Sequence, residues 1–361
     1  MDTQEVRNQK IINAVLEKER SLCPGAVALI GVYGSFQTGD VHPLSDLDLL
    51  ILINDDRGWA LQTAFLLDDA GVGYDIYCTG WDSLRRDAEY THPHISKLMD
   101  ANIVYCADEK YLFELEALRD QAKRLMDAPF AEADLKRAED TLKEARLCYA
   151  QAMASDSLPE ARVQAGGVLY CAEDALALLN KTYYKKGVHR RYEELAALQK
   201  RPADLCGTIE GVVCAKTLEE LQQQLKLLMK ALSACFDAER LALKPEKRSA
   251  DQDALRGTYE EMFSNWHGKM HLALQAGDRH LAFMTLESLH QMLADIGEET
   301  DIQTCSALSA YDPCSLERTL EAFDAVLNAY LKEYEKAGLK VNRFDSADDF
   351  TRAYLSGDDA G

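Results

Sequence analysis

Residues 31–53 read Gly-Val-Tyr-Gly-Ser-Phe-Gln-Thr-Gly-Asp-Val-His-Pro-Leu-Ser-Asp-Leu-Asp-Leu-Leu-Ile-Leu-Ile. A Gly-Ser pair, Gly34 and Ser35, opens a polar turn through Thr38, Gly39 and Asp40. Two carboxylates, Asp46 and Asp48, stand at the mouth of the apolar run that follows. The pattern predicts a phosphate cradle followed by a metal-binding strand. Residues 47–53 are short, apolar and bounded by Asn-Asp-Asp, which predicts the strand. Side chains alternate along a strand, so Asp46 and Asp48 leave the same face. Leu47, Leu49, Ile51 and Ile53 supply one apolar face and Leu50 and Leu52 the other, so the strand is expected between covering layers.

Two carboxylates at the entrance of such a strand repel each other and resist desolvation unless a cation compensates them. Mg²⁺ suits them, because it takes oxygen ligands from one or two carboxylates plus substrate phosphates. Two such ions roughly 3.5–4 Å apart can clamp an in-line displacement at phosphorus. Glycine lets backbone approach a phosphate, and a serine hydroxyl with nearby amides can donate to its oxygens. Gly34 and Ser35 are therefore candidate phosphate ligands. A third carboxylate comes from residues 72–78, Val-Gly-Tyr-Asp-Ile-Tyr-Cys. In that predicted strand Asp75 points away from the face of Val72, Tyr74, Ile76 and Cys78, and a mid-strand acid needs a partner.

Gly34-Ser35, Gly39 and Ser45-Asp46-Leu47-Asp48-Leu49, with Asp75 on a later strand, resemble the signature of the DNA polymerase beta-type nucleotidyltransferase superfamily. Its small-molecule branch includes the aminoglycoside nucleotidyltransferases. The resemblance covers about the first third of the chain, and residues 94–105 resemble the last sheet segment of that branch. It implies that Asp46 and Asp48 hold two Mg²⁺ ions, and that Asp75 binds one and positions the attacking hydroxyl. It also implies ATP or another nucleoside triphosphate as co-substrate. Many relatives carry Ala-Arg where this chain has Gln37-Thr38, so the loop lacks that cationic contact.

The 361 residues predict two or three domains. A 47% hydrophobic and 28% charged composition is that of an ordinary soluble protein. The polar N-terminus has no signal-peptide pattern, and no apolar run nears the roughly 18 residues of a membrane span. Ten cysteines without a Cys-x-x-Cys pair argue against a zinc ribbon or a disulfide scaffold. A reducing cytoplasm is the expected location. The net charge of −21 disfavours nucleic-acid partners and suits a cationic small-molecule acceptor, although many soluble proteins are acidic only for solubility.

The expected fold is α+β: a catalytic domain over residues 1–128, with a mixed sheet and helices, then an all-helical substrate-binding region over 129–361. A polar stretch at 244–253 suggests a break between two sub-bundles. Within the first domain, helices are expected at 3–21, 59–70, 81–89, 94–100 and 109–126, with strands at 26–33, 47–53, 72–78 and 102–106. The helical region is expected to carry long helices at 131–153, 160–186, from Thr217 onward, 254–276, 279–296 and 315–337. Thr217-Leu-Glu-Glu220 is a capping box, and residues 356–361 form a loose end.

Residues 181–191, Lys-Thr-Tyr-Tyr-Lys-Lys-Gly-Val-His-Arg-Arg, are basic and aromatic within an acidic chain. Lys181 and Lys185 are candidates for triphosphate oxygens, against the alternative of a solvated helix end. An acid in the helical domain is the general base in some aminoglycoside nucleotidyltransferases, which makes Glu173 a candidate, against a surface carboxylate. His267 and His271 have the i, i+4 spacing of metal ligands. Gly268 stands where a zinc-protease motif needs Glu, so a packed or surface pair is expected. The activity expected is transfer of a nucleoside monophosphate to a small-molecule hydroxyl. The alternative is a regulatory or antitoxin-type protein that binds or modifies a partner protein.

Overall fold

The computed structural model describes residues 4–244, 246–303 and 306–356, and the loose end expected at 356–361 lies, from residue 357, outside them. The chain divides into two compact units, Met1–Lys244 and Pro245–Gly361.

The first unit opens with α1 (Gln4–Leu22), β1 (Val27–Val32), a one-turn helix α2 (Ser35–Thr38) and β2 (Leu49–Ile53). Then come β3 (Thr63–Leu67), β4 (Val72–Ile76), β5 (Cys78–Gly80), α3 (Trp81–Ala88), α4 (Ser96–Met99), β6 (Asn102–Cys106) and α5 (Glu109–Asp127). The main sheet runs β5-β2-β1-β6, with β1 antiparallel to both β2 and β6 and β2 parallel to β5. All five residues of β2 are buried. Leu50 and Leu52 pack with the helices on one face, and Leu49, Ile51 and Ile53 pack with α1 and the β3–β4 hairpin on the other. Covering layers on both sides explain why the run is apolar without interruption.

Residues 59–70, expected as a helix, are instead a 3-10 turn (Asp56–Leu61) and β3. The Asp55 carboxylate accepts from Arg57 N–H and starts the turn. β3 then pairs antiparallel with β4 along its whole length, and Phe65 stacks on Tyr74 with ring centroids 5.2 Å apart. Hairpin pairing and this cross-strand stack outweigh the weak helical spacing of Leu61, Phe65 and Leu66. Residues 72–78 are likewise not one strand. β4 belongs to the hairpin and β5 to the main sheet, with Tyr77 between them.

The unit continues through α6 (Glu132–Ala154), α7 (Leu158–Leu179), α8 (Arg191–Ala197), α9 (Leu205–Cys214) and α10 (Leu218–Leu243). Helix α7 ends seven residues before the expected stop at 186. Lys181 adopts a left-handed φ of 51°, Thr182 N–H reaches Ala177 C=O, and Lys181 N–H reaches Leu178 C=O. This is the paired bonding that closes a helix through a left-handed residue. Asn180 reinforces the stop, because its amide donates to Leu176 C=O and its Oδ1 accepts from Gln199 and Lys200 N–H. Helix α10 starts as its sequence predicts, with Thr217 and Glu220 forming the capping box.

The second unit comprises α11 (Gln252–Leu255), α12 (Thr258–Met262), a π-helical turn (Phe263–His267), α13 (Gly268–Ala276), α14 (Arg279–Glu299), α15 (Leu316–Lys336) and α16 (Ala347–Ser356). The helix expected over 254–276 is broken at Gly257, whose φ of 79° turns the chain before α12. Leu286, Leu289 and Leu293 of α14 pack with Phe323 and Leu327 of α15. Among the described residues no helix is long and apolar enough to cross a membrane.

Candidate active site

The site is built where β1 and β2 end side by side. Val32 pairs with Leu49, and Tyr33 N–H donates to Asp48 C=O at 3.1 Å, so the ladder reaches the second acid. Gly34 then turns the chain with φ 68° and ψ −146°, a backbone region open to glycine. Helix α2 makes one turn and Gly39, at φ 73°, closes it. The return path over 40–46 is pinned by Ser45: its Oγ accepts from His42 N–H at 3.0 Å, and its C=O accepts from Gln4 Nε2 at 2.9 Å.

Asp46 is exposed and Asp48 half-buried. The Asp48 carboxyl is pushed up to about 6, first by burial and then by the charge of Asp46, against the opposing effect of a hydrogen bond from Ser35 N–H. Among the described residues neither acid has a cationic partner. Oxygen donors with this uncompensated charge fit a hard divalent cation.

Asp75 stands on the exposed face of β4, as its alternation predicts. Ile51 lies beside Cys78 and Leu52 beside Thr79, so the chain leaving β4 joins the main sheet alongside β2. Asp46 and Asp75 line one concavity of about 410 Å³, floored by Phe65, Gly73 and Tyr74. The structure therefore brings Asp46 and Asp75 to one concavity, while Asp48, two residues from Asp46, lies against Gly34. A larger cavity of about 740 Å³ lies between α1 and the hairpin, lined by Ile11, Val15, Leu61 and Phe65 among others. None of the three acids lines it.

Two tyrosines absent from the sequence reading join the site. The hydroxyls of Tyr33 and Tyr77 are hydrogen-bonded to each other. Burial, then Tyr77, then Asp48 and Asp46 hold the Tyr33 phenol well above its ordinary value, so it remains a neutral donor beside the acids. The available signal was positional: Tyr33 directly precedes Gly34, and Tyr77 interrupts the strand that carries Asp75.

The basic segment also meets the loop, through a residue other than the expected lysines. Asp40 accepts from Gly187 N–H at 2.9 Å and from Arg190 Nη1 at 2.7 Å. These two bonds, the Gly187 amide first, hold the Asp40 carboxyl well below the usual carboxylate range. Lys181 is engaged elsewhere: its Nζ lies 3.0 Å from Asp134 and 2.8 Å from Ala128 C=O, with only 9% of the side chain exposed. Lys185 is exposed, with its ammonium 4.7 Å from the Tyr183 ring centroid.

Glu173 lies on α7, with its carboxylate 3.5 Å from Arg191 Nε. Burial raises its carboxyl, and Arg191 opposes that rise. Residues 187–191 thus touch the Gly34 loop at one end and Glu173 at the other. The neighbouring Asp174 is buried and bonds His94 Nε2 at 2.9 Å, where Tyr170 Oη also meets that nitrogen at 2.9 Å. Arg191 itself stacks over the Tyr184 ring, 3.4 Å from its centroid.

Residues 9–127 match the family model of the nucleotidyltransferase domain. This interval contains Gly34, Ser35, Asp46, Asp48 and Asp75, and the match bears out the resemblance those residues carry. Among solved structures, a nucleotidyltransferase-like protein from Exiguobacterium sibiricum 255-15 is similar at 11% identity. The similarity covers 74% of this chain and 92% of that one, with a TM-score of 0.35. No curated protein matches the chain.

Proposed function

We propose that this chain transfers AMP from Mg·ATP to a hydroxyl of a small molecule, of the cationic, aminoglycoside-like class, in the cytoplasm. The acceptor oxygen forms a bond to the α-phosphorus. The bond from that phosphorus to the β-bridging oxygen breaks, and pyrophosphate leaves with the bonding pair. Asp46, Asp48 and Asp75 would hold a pair of Mg²⁺ ions, whose charge, when bound, neutralises the phosphates and acidifies the acceptor hydroxyl. Asp75 orients that hydroxyl. Gly34 and Ser35 seat the β- and γ-phosphates, and Tyr33 offers a neutral hydroxyl beside them. Arg190 and Gly187 fix the far end of the loop by gripping Asp40. Glu173 takes the hydroxyl proton. Most of the acceleration then comes from positioning and preorganised charge.

One observation carries this reading. Asp48 is held half-buried beside Asp46 against the Gly34-Ser35 backbone, without a cation from any described side chain. Such a pair is poised for a divalent ion and a triphosphate. The test is ATP labelled at the α-phosphate, incubated with Mg²⁺ and the chain, against aminoglycosides and separately against cell-lysate proteins. Label on a small molecule with release of pyrophosphate is expected, and Asp48→Asn should abolish it. Label on lysate proteins alone would overturn the small-molecule acceptor. Undiminished transfer by Asp48→Asn would overturn the site.

A further inference from the structure

We propose that the second unit carries a divalent transition-metal site formed by His267, His271 and Asp324. It is separate from the carboxylates of the first unit and different in chemistry.

The geometry starts in the helix. His267 ends the π-helical turn, and His271 lies in the following α13. Side chains four apart share a helix face, and here the two Nε2 atoms are 3.1 Å apart. Two imidazole nitrogens aimed at each other so closely have two ways to coexist. One donates its proton to the other, or both turn a lone pair to a shared cation. Tetrahedral Zn²⁺ with Zn–N bonds of about 2.0–2.1 Å sets its nitrogens roughly 3.4 Å apart. A shift of a few tenths of an ångström therefore converts the observed pair into a ligand pair.

The third donor arrives from a distant part of the chain. Asp324 projects from α15, and one of its carboxylate oxygens and the two imidazole nitrogens all lie within 4.8 Å of one another. All three residues are half-buried. Among the described residues Asp324 has no hydrogen bond or ion pair that would otherwise account for its position. His267 is held from behind, with its ring stacked on Phe263 at 4.2 Å between centroids and 14° between planes. That packing limits the ring's freedom before any ion binds, which lowers the ordering cost of ligation. The π turn is a second, independent mark. Such turns are rare in helices and concentrate at functional sites, and this one ends on the first ligand.

Two imidazoles and one carboxylate select the ion. Mg²⁺ and Ca²⁺ prefer sets made only of oxygen, whereas a His₂-carboxylate set suits Zn²⁺ and leaves a fourth position for water. The sequence shows only the i, i+4 histidines, which alone point to a packed pair. Asp324 supplies what that spacing lacks.

The experiment uses the full chain, stripped with a chelator and titrated with ZnCl₂ or CoCl₂. One zinc per chain is expected to survive gel filtration and raise the melting temperature in the wild type and in Asp48→Asn alike, whereas any rise given by MgCl₂ should be lost in Asp48→Asn. Cobalt is expected to give visible bands of tetrahedral intensity without thiolate charge transfer. His271→Gln and Asp324→Asn should each weaken zinc binding at least about tenfold. Their metal-free melting should stay close to the metal-free wild type, which shows that they fold. Asp48→Asn should keep the cobalt spectrum. The proposal is overturned by a wild-type chain that retains no zinc, or by cobalt bands with thiolate charge transfer. Bands that persist in Asp324→Asn but vanish in Asp48→Asn overturn it as well.

Discussion

A β-carbon on Gly34 would lie 1.9 Å from Oδ2 of Asp48. The loop backbone and the second acid of the pair therefore occupy adjoining space that only glycine leaves open. Its positive φ adds a second reason for glycine. Gly34→Ala must move either the carboxylate or the loop. It should lower stability by about 1–3 kcal/mol, read as a lower melting temperature. It should also reduce nucleotidyl transfer at least about a hundredfold, since a misplacement near 1 Å has that effect. Near-normal turnover in this variant would show that the loop and Asp48 act independently.

Asp48 predicts a pH dependence with a definite sign. Its carboxyl is held up to about 6 against an ordinary value of 3.8, first by burial and then by Asp46. The folded chain therefore binds this proton more tightly than the unfolded chain. Without metal, stability from this group should fall as pH rises from about 4 to about 6 and change little above that. Asp48→Asn removes the buried charge. It should be more stable than the metal-free wild type at pH 7.5, by about 2 kcal/mol after allowance for partial solvent screening. Divalent-ion affinity of the wild type should drop as pH falls below 6, because the ion then competes with a proton. Denaturant melts and Mg²⁺ titrations across this range measure both effects.

Much of the site was legible because it is local. Gly34, Ser35, Asp46 and Asp48 fall within one short stretch whose alternation fixes their faces. Asp75 follows from the same rule on β4. What the sequence concealed is non-local. Phe65 on Tyr74 turns an expected helix into a hairpin, and no pattern within residues 59–70 contains Tyr74. Lys181 looked free for phosphate, yet Asp134, far back in the chain, holds it. Arg190 was one cation among several in its segment, and only the folded chain sets it on Asp40.

The Asp40–Arg190 contact predicts a second pH effect, of opposite sign. The Asp40 carboxyl is held below its ordinary value by the Gly187 amide and by Arg190. Its contribution to stability is thus complete above about pH 4 and is lost as pH falls through the depressed folded value. Asp40→Asn should melt a few degrees below wild type at pH 7, with the gap narrowing toward pH 3. Arg190→Ala should raise KM for the nucleotide several-fold, because the loop loses its outer anchor. An Asp40→Asn melting difference that stays constant from pH 7 to pH 3 would separate the contact from the ionised state of Asp40.

Glu173 is the residue whose role most needs a kinetic test, since its contact with Arg191 also has a structural use. Burial raises its carboxyl, which moves it toward the range where a base works near neutrality. If it takes the acceptor's proton, Glu173→Gln should lower kcat by about 10²–10⁴ and leave KM for ATP nearly unchanged. The acidic limb of the pH–rate profile should disappear with it. A residue that only braces Arg191 behaves otherwise: its loss lowers the melting temperature and raises KM, while the acidic limb survives. Arg191 stacks on Tyr184, and the Tyr184 hydroxyl donates to the Glu173 carbonyl at 2.6 Å, a backbone contact that glutamine keeps. The substitution therefore removes the ionisable group and spares the packing around it, so the two roles separate in one variant.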